Sequence, residues 1–383
     1  MLLLFTYGVS LKKWEEWGII TREISLYKQL SNKNVKYKFL TYGNDSDLKY
    51  QELLGDIEII PTQNLIKSKN LILRLFKSFL LPFKLKKIFK SIDIIKTNQV
   101  EGCWVGLIAK IFFRKKIIIR AGYEWFRNYL NEVKIQSEKN FFRYLINYIY
   151  IFITELIAYK FADIIILTSR ENIKFIIKTF KLNRKREKII FLPNFIDVNQ
   201  FKPLNIKKKE KSILFVGRLT LIKNLANLLK ALKNLNNFTL DLIGTGSHEV
   251  NLKNMAKNLN INANFLGVLP NYKLSEKYNL YQMFILPSFF EVNPKALLEA
   301  MSCGMPCIGT NVRGIKEIIK HKENGYLCEL SSKSIQDAII TVYNNKELRE
   351  IISNNARQFI MKNCSLDSIV EKELNIYKEI LRH

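Results

Sequence analysis

Histidine is almost missing from these 383 residues: His248, His321 and His383 are the only three, and they stand far apart. The five cysteines, Cys103, Cys303, Cys307, Cys328 and Cys364, are odd in number and scattered. Cys303 and Cys307 lie four apart, but no second pair and no nearby histidine completes a zinc site, so no metal ligands are expected. All five read as reduced thiols in a reducing compartment. No GxGxxG occurs, which counts against a dinucleotide oxidoreductase. Long apolar runs are also lacking. The nearest, YLINYIYIFITELIAYKFADIIIL, is interrupted by Asn147, Glu155 and Lys160 and falls short of the ~18–20 apolar residues of a membrane span. It predicts a buried helix followed by a strand. The opening MLLLFTYGVS has no basic lead and fewer apolar residues than the ~7–15 of a signal peptide, and it predicts a first strand.

Acid is scarce as well. Lys and Arg number 61 against 34 Asp and Glu, a formal net charge of +27. Residues 1–200 hold 35 basic and 18 acidic side chains, and residues 201–383 hold 26 and 16, so the excess leans towards the first half. Nucleic acid, an anionic membrane face, and a composition biased to Lys, Ile and Asn each account for such a balance. Charge alone bears on solubility and association rather than on chemistry.

At 48% hydrophobic and 25% charged, the composition is that of a globular protein, and the length suits two domains. Short apolar segments alternate with helical ones: LLLFTY, KYKFLTY, DIEIIP, IDIIKTN, KKIIIRA and ADIIILTS, then KSILFVG, FTLDLIG, ANFLG, YQMFILPS and PCIGT. Near-continuous apolar strands with helices between them predict α/β domains whose parallel sheets are covered on both faces. We expect an N-terminal domain over 1–200, a C-terminal domain over 201–365, with the charged NIKKKEK (205–211) near the boundary, and a final helix over 366–383 that packs on either. Paired domains of this kind usually bind a ligand in the cleft between them.

Two stretches carry chemistry. In ILFVGRLTLIKNLANLLKAL a strand ends at Val216, Gly217 turns the chain, and a helix begins near Lys223 or Asn224. Arg218 and Lys223 then stand beside a helix N-terminus, where free N–H groups and the dipole favour phosphate; two solvated charges flanking a turn is the alternative. In PSFFEVNPKALLEAMSCGMPC a strand ends at Ser288, Asn293 is placed to cap a helix, and Pro294 to occupy its first position. Gly304 and Pro306 end that helix. Glu291 precedes it and Glu299 lies within it. Cations and N–H groups for a diphosphate, with carboxylates for sugar hydroxyls, form the combination a nucleotide sugar needs; a loop acid plus a helix-face acid is the bland alternative.

Glu291 and Glu299, with EAMSCGMPCIGTNVRGIKEII and ENGYLC after them, resemble the signature of the retaining glycosyltransferases of family 4, the glycosyl transferases group 1 family. VGRL…KN, LIGTGS (with Gly244), FLGVL and LPNFIDVNQFKP fall in family order, and the likeness is strong over residues 187–330. It implies a GT-B fold: two Rossmann-like domains, the first on the acceptor side and the second holding the donor. It also implies a diphosphate clamp of Arg218 and Lys223, a ribose ligand in Glu299, and in Glu291 a group that orients the transferred sugar. Pro294, Lys295 and Ala296 would meet phosphate, although the family more often has Gly where Pro294 stands. Leu266, Gly267 and Val268 fall where the family holds the base. No cofactor and no essential metal is implied, only a nucleoside diphosphate sugar as donor, a UDP-sugar in our reading.

The first half matches less tightly. YGVSLKKWEEWGIITREISLY resembles the family's first-strand loop, flanked by Gly8 and Gly18, with a helix starting near Thr21. RAGYEW has no histidine where many relatives carry one, which leaves Glu124 and Tyr123, with Asn98 on a neighbouring edge, as acceptor-side groups. Residues 64–90 hold eight basic residues, no acid and many Leu, Ile and Phe. They suit an amphipathic surface helix at an anionic membrane, or an ordinary crossover helix. The expectation is a glycosyltransferase of bacterial surface polysaccharide synthesis, cytoplasmic and peripheral at the inner face of the plasma membrane, with a glycan or lipid-linked acceptor. A GT-B-like sugar-nucleotide epimerase is the enzymatic alternative. A basic nucleic-acid-binding module is the other, and the missing aromatic–basic motif weighs against any nucleic-acid partner.

Overall fold

The computed structural model describes residues 1–136, 141–183, 188–235 and 237–382, so His383 lies outside the described residues. Contacts divide the chain into two units: Met1–Leu192 with Val370–His383, and Pro193–Ile369. The division falls before 200 because the segment after Leu192 packs into the second unit. Ile196 and Phe201 belong to that unit's core, and Ile196 pairs with Ser365.

All eleven expected strands form. The first unit contains β1 (Leu2–Leu4), β2 (Lys38–Thr41), β3 (Glu58–Pro61), β4 (Ile94–Thr97), β5 (Lys116–Ala121), β6 (Ile164–Leu167) and a further β7 (Lys188–Phe191). They build one parallel sheet in the order β3-β2-β1-β4-β5-β6-β7. The second unit contains β8 (Ser212–Val216), β9 (Thr239–Ile243), β10 (Ala263–Phe265), β11 (Met283–Leu286), β12 (Cys307–Thr310) and a further β13 (Tyr326–Cys328), ordered β10-β9-β8-β11-β12-β13. The two strands that the pattern did not yield are short edge strands with partly exposed side chains. The interior strands β4, β6, β8 and β11 are buried at every position, as expected where helices cover both faces. Each sheet reverses its winding once, between β1 and β4 and between β8 and β11. Such a crossover opens a crevice at the carboxyl ends of the strands.

The last helix, Leu366–Arg382, joins the first unit from Val370 onwards. Its anchor is Glu373, which accepts from the fully buried Lys96 of β4 at 2.6 Å, while Tyr37 donates to the Tyr377 hydroxyl at 2.9 Å. Burial pushes the Tyr37 and Tyr377 hydroxyls well up.

The helix Phe141–Phe161 differs from the expectation of a buried helix. Only Ile151, Glu155, Ala158 and Tyr159 are buried, whereas Phe142, Ile146, Ile149, Ile153 and Ile157 stand exposed at helical spacing. By length and composition it is apolar enough to cross a membrane. Glu155 faces inward and accepts from the Trp125 backbone N–H at 2.7 Å; burial raises its carboxyl to about 7. All five cysteines are free and buried, and burial pushes Cys103, Cys303 and Cys328 up to about 12, as inert reduced thiols should be.

Candidate active site

The residues singled out in the second unit gather at the carboxyl edge of its sheet, around the β8/β11 crossover. Gly217 follows β8 in a conformation (φ 156°) that leads straight into Arg218. Arg218 is exposed, and its guanidinium makes no hydrogen bond or ion pair among the described residues. A single 3-10 turn, Leu221–Lys223, comes next, and the helix begins at Leu225 rather than at Lys223 or Asn224. Asn224 takes a left-handed conformation (φ 54°) and donates through Nδ2 to Leu330 O at 3.2 Å, which fixes the turn carrying Lys223.

The loop after β11 comes to the same place. Phe289 N donates to Ile222 O at 2.8 Å, tying the two loops together. The Lys223 ammonium then forms an ion pair with Glu291, whose Oε1 also accepts from the Ser288 hydroxyl at 2.7 Å. Both partners are mostly shielded, so the pair holds its geometry better than a surface pair would. Lys223 retains two further N–H groups for another anion. A third loop fits against this one: Glu291 N donates to Arg313 O at 3.1 Å, and a Cβ on Gly314 (φ 82°) would sit 2.4 Å from Glu291 O. Only glycine lets the backbones approach so closely.

The helix after the loop is Lys295–Ser302, with Pro294 at the capping position and Lys295 first. This corrects the expected cap. Asn293 does not cap the helix, because its side chain accepts from Asn194 N at 2.9 Å and its carbonyl from Asn194 Nδ2 at 2.7 Å. Lys295 Nζ lies 5.0 Å from the centre of the Phe195 ring, and Ala296 is partly buried. The helix is buried nearly all round, so Glu299 is 1% exposed. Its carboxylate accepts from Asn271 Nδ2 and from the Tyr278 hydroxyl, both at 3.0 Å. Those two are seven apart on the helix Asn271–Leu280 and so share a face.

Glycines close the far side of the edge. Gly244 follows β9 at φ 132°, and a Cβ there would lie 2.0 Å from Gly217 O. Gly244 N donates to Gly267 O at 2.7 Å, so that carbonyl of the base-side loop is already engaged, while Val268 is exposed. Sequence reasoning missed Ser288, Asn194, Asn271 and Tyr278. LPNF was noted only as part of a family pattern, and nothing local marks Asn271 or Tyr278 as neighbours of Glu299.

In the first unit, Gly8 follows β1 and its carbonyl accepts from Lys13 Nζ at 2.7 Å. A short helix, Leu11–Glu16, precedes Gly18, and the helix expected near Thr21 runs over Ile20–Asn32. Asn98 N donates to Leu4 O at 2.8 Å across the β1/β4 crossover. The Glu124 side chain is fully buried at the start of the helix Trp125–Gln136. Tyr123 is partly exposed, and its hydroxyl donates to Glu132 at 2.6 Å. Gln99, which the sequence did not single out, accepts from Gly122 N at 3.0 Å and Tyr123 N at 3.1 Å and holds that loop. Among the described residues no group of three His, Cys, Asp or Glu side chains is placed to hold a metal ion.

Residues 197–359 match the family described as glycosyl transferases group 1. Those residues belong to that family. N-acetyl-alpha-D-glucosaminyl L-malate synthase of Bacillus anthracis is 28% identical over 218 residues, 54% of this chain and 57% of its own length. The match thus spans little more than half of that relative. UDP-Gal:alpha-D-GlcNAc-diphosphoundecaprenol alpha-1,3-galactosyltransferase of Escherichia coli is 26% identical over 324 residues, 80% of each chain. Among solved structures, the Anabaena HepE protein in complex with UDP and glucose superposes with a TM-score of 0.76 at 16% identity, covering 98% of this chain and 99% of the other. The fold is therefore GT-B, and the glycosyltransferase family is matched over the second unit. The matched region contains Arg218, Lys223, Glu291 and Glu299.

Proposed function

We propose that the transferase moves a sugar from a UDP-sugar to a glycan or lipid-linked acceptor in the synthesis of a bacterial surface polysaccharide (capsule, O-antigen or exopolysaccharide), with retention at the anomeric carbon. The observation that carries this reading is the Lys223–Glu291 pair at the β8/β11 crossover, with an exposed Arg218 beside it. Arg218 and Lys223 offset the charge that develops on the leaving diphosphate, which is electrostatic stabilisation aimed at the transition state. Glu291 orients the transferred sugar, and Glu299 takes the ribose hydroxyls. The bond from the anomeric carbon to the diphosphate oxygen breaks, the acceptor oxygen bonds on the same face, and its proton passes to the leaving diphosphate. With the cations in this role, no metal and no cofactor is assigned to the step.

The names of relatives support the substrates. The Escherichia coli protein is named for UDP-Gal and for an acceptor linked to diphosphoundecaprenol, and the Anabaena structure contains UDP. A membrane-facing site for such an acceptor is supported by the 64–90 region, whose helix Leu71–Phe79 exposes Leu71, Ile72 and Phe76 among basic residues. On this reading the protein is peripheral at the cytoplasmic face of the membrane.

Thermal shift with a panel of nucleotide sugars tests the donor, because a ligand that binds only the folded state raises its stability by mass action. UDP-sugars should raise Tm, and the Arg218→Ala, Lys223→Ala double variant should lose both the shift and the transfer. Full activity in that variant would refute the clamp, and an inverted anomer in the product would refute retention.

A further inference from the structure

We propose that the cavity beyond the carboxyl ends of β1 and β2 is the subsite for the diphosphate of an isoprenoid-diphosphate-linked acceptor, with the isoprenoid chain leaving over the apolar face of the helix Leu71–Phe79. This rests on the reading of the protein as a transferase with a lipid-linked acceptor.

The cavity measures about 380 Å³, enough for a diphosphate and part of its first sugar. Lys12, Lys13 and Arg74 line it. Arg74 makes no side-chain hydrogen bond or ion pair among the described residues, and Lys12 has only a loose 3.9 Å contact with Glu16. Lys13 spends one N–H on Gly8 O and keeps two.

The one carboxylate in the lining is Asp47, and it is already committed. It accepts from Leu11 N and Lys12 N at 3.2 Å each and from the Thr41 hydroxyl at 2.6 Å. Its place is enforced by Gly43, where a Cβ would lie 2.1 Å from Asp47 Oδ2. Asp47 therefore closes the backbone N–H groups of Leu11 and Lys12, and a bound anion must rely on the three side-chain cations. Three cations against one carboxylate leave a charge that balances the two negative charges of a diphosphate diester. Arg suits such a planar, forked contact.

The route for the chain is built from aromatic rings. Tyr7 lines the cavity and packs on Trp104 at 5.4 Å, and Trp104 stacks on Phe79 at 5.3 Å while donating to the Ser78 hydroxyl at 2.8 Å. Phe79 ends the helix that also carries Arg74, and the same helix turns Leu71, Ile72 and Phe76 outward, each about two-thirds exposed. A cationic cavity joined by an aromatic wall to exposed apolar surface fits a ligand with an anionic head and an isoprenoid tail. A free nucleotide has no use for the second part.

Farnesyl diphosphate, which is water-soluble, serves as the probe, titrated by tryptophan fluorescence against farnesyl monophosphate, inorganic diphosphate and UDP. Farnesyl diphosphate should bind saturably, and Arg74→Gln and Lys12→Gln should each weaken it roughly tenfold or more, with Arg74→Lys recovering part of the loss. Phe76→Ser should weaken farnesyl diphosphate and leave inorganic diphosphate unchanged. An unaltered Tm and circular dichroism spectrum in each variant, without ligand, show that it folds. Equal binding of farnesyl diphosphate by wild type and Arg74→Gln would overturn the subsite. Inorganic diphosphate binding as tightly as farnesyl diphosphate would overturn the isoprenoid assignment. Absence of any UDP-sugar shift in the wild type would strike the donor reading alone.

Discussion

A carboxyl group that is 1% exposed needs hydrogen-bond partners for its oxygens, and Glu299 has Asn271 and Tyr278 for that purpose. A ribose would then add hydrogen bonds to a group already held in place. Glu299→Ala should weaken nucleotide binding by about 1–3 kcal/mol, measured by calorimetry with UDP, since a hydrogen bond to a charged group lies in that range. Tyr278→Phe is the control. It removes one donor and should lower stability by about 0.5–1.5 kcal/mol with a smaller effect on UDP. If UDP binds Glu299→Ala as tightly as wild type, Glu299 has no ribose to hold. Gly314 and Gly244 matter for a different reason: their absent Cβ atoms let one loop meet Glu291 O and another meet Gly217 O.

Helix Leu366–Arg382 shows how an element is held by charge within an apolar sheet. Its Glu373 meets Lys96, a lysine inside β4 with no exposed surface. Desolvation lowers the affinity of Lys96 for its proton and Glu373 raises it, so the pair survives only as a pair. Removing one partner should leave a buried charge stranded. Glu373→Gln should lose about 3–5 kcal/mol in urea unfolding, whereas the Lys96→Met, Glu373→Leu double variant should lose far less. Equal losses in the single and the double variant would show that shape rather than charge anchors the helix.

For the molecule as a whole, the excess of 61 basic over 34 acidic residues governs association with anionic surfaces. Binding to vesicles containing anionic lipid should weaken steeply between low salt and 0.5 M salt as the Debye length shrinks below ~10 Å. The fourfold variant Lys84→Gln, Lys86→Gln, Lys87→Gln and Lys90→Gln should release the protein from those vesicles at physiological salt. Co-sedimentation unchanged by the four substitutions would place membrane contact elsewhere, and the outward apolar face of Phe141–Phe161 would be the next surface to test.

Eleven strands, the parallel α/β class and the Glu291–Glu299 motif were legible because they are local. Apolar runs bounded by turn residues report strands, and a signature reports itself. The short edge strands β7 and β13 were not legible, since a few half-exposed residues leave little pattern. Helix Phe141–Phe161 was read as buried because hydropathy measures transfer preference and says nothing about which neighbours arrive to cover a face. Asn293 was read as a helix cap from its own identity. Its real partner, Asn194, stands 99 positions away and only folding brings it there. Period and composition, which act over a few residues, were enough to place the strands, though β11 ends at Leu286 and not at Ser288. Only the tertiary structure decided that Lys223 pairs with Glu291, that Glu124 is buried and that Lys96 anchors the last helix. Each of those depends on the winding order of a sheet, which no short stretch of chain contains.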